Sequence, residues 1–176
     1  MIKNYKDLVS KVNKIKIGKD IDLSSGEDLS IGIMNLISIE EHLFFTSQKT
    51  KNHKYLDLLN EVRLMRTSLL KEIIKDYEGE VWCISKHLLA ASMRVMEVGT
   101  KELKKGNKKK ANDLFAKSYN LYSLFWALNL SKHPKLVGKK NDDVNFINDK
   151  NGKTTGSSVF SKISDVVNKA IDCCRE

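Results

Sequence analysis

The chain has 176 residues, 41% of them hydrophobic, and a net charge of +9, so it can bury a core and favours an acidic partner. No apolar run approaches the ~20 residues that cross a bilayer, so no transmembrane segment is predicted. The three cysteines, two of them adjacent, form no disulfide framework, and the N-terminus lacks a signal-peptide pattern, so we expect a cytoplasmic protein.

The N-terminal stretch predicts a short basic amphipathic helix followed by a connector. Four apolar residues share one helical face among the lysines of residues 1–17: Tyr5, Leu8, Val12 and Ile15. Residues 18–26 begin and end with glycine, which indicates a connector. Ser24 and Glu27 have the spacing of a capping box, so a longer helix is expected to start there.

Four longer segments with helical periodicity predict an all-α, up-down four-helix bundle. Their expected bounds are Glu27–Gln48, Tyr55–Asp76, Glu80–Lys105 and Lys108–Leu130. Gly79 and Gly106 interrupt the chain between the last three. Because the loop between the first two helices, residues 49–54, is short and polar, these two should be antiparallel neighbours.

The domain organisation follows from a change of composition after the fourth helix. Residues 1–135 are predicted to form the bundle domain, with the basic N-terminal helix included. Residues 136–158 are rich in Gly, Asn, Asp, Lys, Ser and Thr, which is typical of a flexible linker. Residues 159–176 rebuild a helical apolar stripe and predict a C-terminal amphipathic helix. This additional helix could dock within the chain, on another copy or on another protein.

The third and fourth predicted helices contain a spacing that resembles one unit of a tetratricopeptide repeat. The matching positions are Gly99, Gly106, Ala111, Phe115 and Ser118. Glu102 and Ser123 stand where the repeat has a tyrosine and a closing proline, and no second copy is visible, although such arrays need about three. The resemblance implies a helical hairpin with similar packing.

Two opposite charges fall inside apolar stripes of the first and second bundle helices. Glu40 lies in the middle of one stripe and Arg66 in the middle of the other. Counted from the intervening loop, their heights differ by ~6 Å, which an arginine side chain can span. Arg63 is nearer in height but lies toward the edge of its stripe. We expect a buried polar pair, either an internal functional site or a structural ion pair.

A second candidate is the polar face of the third helix. Cys83, His87, Arg94 and Glu97 lie along one line of that helix. A cysteine followed one turn later by a histidine could be a nucleophile and its base near a helix N-terminus. However, the line is opposite the apolar arc, so an ordinary solvated face explains it equally and is the favoured interpretation.

Metal and cofactor motifs are not found, so no cofactor and no metal are predicted. None of the four histidines follows a glutamate by three residues, as an inward-facing diiron site requires. The Asn151–Thr155 stretch ends like a P-loop but lacks the first glycine and a preceding strand. The same region lacks the ligand spacing of an EF-hand.

Three functional hypotheses remain open. The favoured one is a non-enzymatic interaction or assembly protein that binds a protein partner or itself. The alternative is an RNA- or ribosome-associated protein, suggested by the net charge of +9. The third is a small-molecule binder or enzyme that uses Glu40 and Arg66 inside the bundle.

Overall fold

The computed structural model describes residues 24–75 and 79–130, together with Ile163 and Val167. Four helices make up this part of the chain: α1 is Ser24–Thr50, α2 is Lys54–Ile73, α3 is Glu80–Lys104 and α4 is Lys108–Leu130. The described residues contain no strand, so the all-α prediction is confirmed for them, and their helix ends lie within three residues of the expected ones. The predicted N-terminal helix and the linker lie outside these residues.

The helices pack as two antiparallel hairpins, α1 with α2 and α3 with α4, joined by contacts between α1 and α3. Early in α1, Ser30 contacts Tyr122 in the second half of α4, which lies beside the first half of α3. Further along, Glu41 of α1 meets Arg94 of α3. The helices α1 and α3 are therefore parallel, and the α1–α2 and α3–α4 turns lie at the same end of the bundle.

The α3–α4 hairpin is close-packed because small residues face each other. A Cβ atom added to Gly99 would lie 2.6 Å from Cε1 of Phe115, so only glycine allows this approach. Two turns earlier in α3 and one turn later in α4, Ser92 and Ser118 exchange hydrogen bonds between each hydroxyl and the other's backbone carbonyl, at 2.9 and 2.8 Å. The hairpin has the close packing that the repeat-like spacing implies.

The core is one buried cluster with side chains from all four helices. Its largest fully buried residues in the helices are Ile33, Leu70, Leu89 and Phe125. Ile163 and Val167, both helical, are buried in the same cluster. These two positions of the predicted C-terminal helix therefore pack against the bundle within the chain.

The apolar stripes of α1 and α2 are less buried than the periodicity predicts. Phe44, Leu58 and Met65 belong to those stripes but are roughly half exposed. The reason is that, within the described part, α2 packs extensively against α1 alone. Periodicity identifies the apolar face of a helix but not how much of it a neighbour covers.

Candidate functional site

The structure brings together Glu40 of α1 and Arg66 of α2. Nε of Arg66 donates to Oε1 of Glu40 at 2.8 Å, and Nη2 donates to Oε2 at 3.3 Å. The guanidinium also donates to the Thr67 hydroxyl through Nη1 at 3.2 Å. The side chains are 3% exposed for Arg66 and 15% for Glu40. Arg63, the other arginine considered, is exposed.

The next residue of α1 binds a different helix. Glu41 pairs with Arg94 of α3, and Arg94 pairs as well with Glu97 one turn along its own helix. Consecutive carboxylates of α1 thus hold α2 on one side and α3 on the other. Both oxygens of Glu40 accept hydrogen bonds from Arg66, so this geometry suits an interhelical connection that fixes the helix register.

The polar face of α3 separates into two unequal parts. Arg94 and Glu97 form the exposed ion-pair group just described. Cys83 and His87 are both exposed, Cys83 carries a free thiol, and no bond joins the two side chains in the described structure. The structure therefore does not assemble a nucleophile with its base at these positions.

A groove that the sequence did not predict lies between α1, α3 and α4. Its volume is about 380 Å³, and its lining residues are Ile31, Met34, Ser92, Met96, Phe115, Ser118, Tyr119 and Tyr122. Large apolar side chains on its rim, including Met96, remain substantially exposed. Small residues in α3 and aromatic residues in α4 were the only sequence signals, because the groove depends on how α1 rests on the other hairpin.

Three hydroxyl groups that line the groove, those of Ser92, Ser118 and Tyr122, are bound to protein partners. Within the groove, the Oγ atoms of Ser92 and Ser118 lie 3.1 Å apart, within hydrogen-bonding distance of each other. Ser30 donates to the backbone carbonyl of Glu27 at 2.7 Å and lies 2.7 Å from the Tyr122 hydroxyl. Burial raises the pKa of Tyr122, which keeps it protonated at neutral pH. The groove thus presents an apolar surface with little acid–base chemistry.

A second feature that the sequence did not single out lies at the α3–α4 turn. Glu102 accepts hydrogen bonds from the Asn107 side chain at 2.8 Å and from Lys105 at 3.1 Å, and it pairs with Lys110 at 3.4 Å. These hydrogen bonds, Asn107 first, lower its pKa to about 2, and the nearby lysine charges act in the same direction. Glu102 therefore stays ionised at neutral pH and stabilises the turn through its side chain. The backbone N–H of Asn107 also donates a hydrogen bond to the Glu102 carbonyl.

The described residues contain neither a metal-binding cluster nor a membrane-spanning helix. No three His, Cys, Asp or Glu residues there are arranged to hold a metal ion. Among those same helices, none has the length and hydrophobicity to cross a bilayer. Comparison of the chain with protein-family models, curated proteins and solved structures gives no significant match.

Proposed function

We propose that this protein is a non-enzymatic interaction protein of the cytoplasm. In this proposal an up-down four-helix bundle, extended by terminal amphipathic helices, is the scaffold, and the groove between α1, α3 and α4 is the docking surface. The observation that carries the proposal is the groove itself, an open apolar channel whose rim leaves Met96 40% exposed to solvent.

The chemistry of the groove favours binding over catalysis. An enzyme site needs polar groups that converge on a reacting atom and a group with a suitable pKa. Here the hydroxyls of Ser92 and Ser118 are bound to protein atoms, the Tyr122 hydroxyl lies 2.7 Å from Oγ of Ser30, and burial raises the pKa of Tyr122 further above neutral pH. An apolar surface of this kind gains free energy chiefly by being removed from water.

The occupant that fits best is an amphipathic helix of an acidic protein. A channel between helices accepts the apolar side of another helix, whose anchors recur at every third or fourth residue. The net charge of +9 opposes close association of two copies and attracts a partner of opposite charge. Both considerations favour another protein over self-association.

The test compares two substitutions on opposite faces of α3. Met96→Asp places a charge on the groove rim, whereas Val98→Asp places one on the other face at a residue that is also 40% exposed. The tagged full chain is purified from its own cells under native conditions. We expect an acidic protein to co-purify in stoichiometric amount with the wild type and with Val98→Asp, but not with Met96→Asp.

Two results would contradict the proposal. One is co-purification of the same partners by both variants, which would mean that the groove is not the docking surface. The other is a self-associated wild type that Met96→Asp converts to monomer in sedimentation velocity, which would identify a second copy as the occupant. Circular dichroism melts of the variants show whether both remain folded.

A further inference from the structure

The densest positive charge of the described structure lies at the α3–α4 turn. Six lysines and one acidic residue, Glu102, fall between positions 101 and 110. These lysines, called the lysine turn below, are Lys101, Lys104, Lys105, Lys108, Lys109 and Lys110. All six are exposed. Charge that is scattered elsewhere in the chain is thus concentrated at one tight turn.

The turn neutralises only part of its own charge. Glu102 pairs with Lys105 and Lys110. The other four members, Lys101, Lys104, Lys108 and Lys109, form no ion pair with any described residue. The Asn107 side chain donates a hydrogen bond to the Glu102 carboxylate, and the Asn107 backbone N–H donates to the Glu102 carbonyl. These bonds fix the backbone of the turn from which the lysines extend.

The placement of the lysines opposes the folded state unless an anion is present. The first turn of α4 contains Lys108, Lys109 and Lys110 and no acidic residue, although the positive end of a helix dipole favours acidic side chains. The α1–α2 turn adds Lys49, Lys51 and Lys54 at the same end of the bundle. Repulsion among these charges is relieved when a polyanion binds.

We propose that the lysine turn binds the phosphate backbone of nucleic acid without reading its sequence. Protein–protein interfaces are depleted in lysine, whereas nucleic-acid interfaces are polar and positively charged. A membrane-surface segment would interleave its lysines with several apolar side chains, but residues 101–110 contain only one, Leu103, which is 46% exposed. Lysine supplies point charges that suit phosphates and carry no base recognition. This inference stands on the turn alone and is independent of the groove.

The test measures binding of the full chain to a fluorescein-labelled oligouridylate by anisotropy across a salt series. For single strands, the logarithm of the binding constant falls with the logarithm of salt concentration, with a slope of about −0.7 per phosphate contact. The triple variant K104Q/K108Q/K109Q removes three lysines that have no ion-pair partner. We therefore expect its slope to be shallower by about 2 and its binding to be weaker at low salt.

The matched control removes the same charge from the opposite end of the bundle. The variant K71Q/K75Q/K86Q should keep the wild-type slope. Equal slopes for the two triple variants would overturn the assignment of binding to the lysine turn. Absence of oligouridylate binding, together with binding to phosphatidylserine vesicles or to an acidic protein, would overturn the choice of nucleic acid. Thermal melts show that each variant is folded before it is compared.

Discussion

Replacing Glu40 by alanine leaves the guanidinium of Arg66 buried without its counter-charge. Two hydrogen bonds and one ion pair are lost, while Arg66, which is 3% exposed in the wild type, retains only Thr67 as a hydrogen-bond partner. Breaking a buried pair costs on the order of 3–5 kcal/mol. Because Glu40 is 15% exposed and partly hydrated, we expect the lower part of that range, about 3 kcal/mol.

Urea denaturation of the full chain measures this change in the free energy of unfolding. In a chain of this length, a loss of about 3 kcal/mol lowers the Tm by about 6–12 °C. Glu41→Ala is the matched control, because it removes the neighbouring carboxylate from Arg94, which is 44% exposed. That change should cost at most about 1 kcal/mol. Equal costs for the two variants would refute the reasoning that burial determines the difference.

A double substitution separates structural from functional use of the pair. Replacement of a buried ion pair by hydrophobic residues is often neutral for stability, so Glu40→Leu with Arg66→Met should restore most of what Glu40→Ala loses. If that variant is stable and binds its partner normally, the ion pair has a structural role only. A stable variant that has lost its cellular activity would instead support the internal-site hypothesis.

Three further outcomes are expected. Gly99→Ala should destabilise the chain by about 1–3 kcal/mol in urea, because its Cβ meets Phe115, whereas Gly32→Ala, with open space around it, should stabilise it by about 0.5–1 kcal/mol. Folding lowers the pKa of Glu102 from 4.5 to about 2, so the ionised side chain stabilises the folded state fully above pH 4.5. This stabilisation is lost as the pH falls from 4.5 through about 2. The difference in unfolding free energy between wild type and Glu102→Gln should therefore shrink over that pH range. Ile163→Ala should cost about 2–5 kcal/mol, because this side chain is buried in the bundle core; a neutral result would show a separable C-terminal helix.

The features that depend on local geometry could be read from the sequence. The positions of Glu40 and Arg66 on their stripes follow from helical periodicity, and the short loop between the helices sets their relative height. The end of α3 follows from Gly106, whose φ of 83° favours glycine. Each of these depends on residues close together in the chain, so one sequence contains enough information.

The features that depend on how separate helices meet could not be read in this way. The groove exists because α1 rests beside the α3–α4 hairpin at a particular distance, which no periodicity encodes. The same applies to Phe44 and Leu58. Their positions on the apolar stripes predict burial, but the neighbouring helices leave each of them about half exposed. The proximity of Lys49, Lys51 and Lys54 to the lysine turn likewise depends on the parallel arrangement of α1 and α3.

Photo-crosslinking from the groove rim tests the central claim, docking of an acidic partner helix, most directly. Benzoylphenylalanine is placed at Met96 or, as the control, at Val98, and the full chain is irradiated in its own cells. We predict an adduct with one acidic protein from position 96 and none from position 98, with the crosslinked peptide lying in an amphipathic helix. The same adducts from both positions, or an adduct only with a second copy of this chain, would contradict the account.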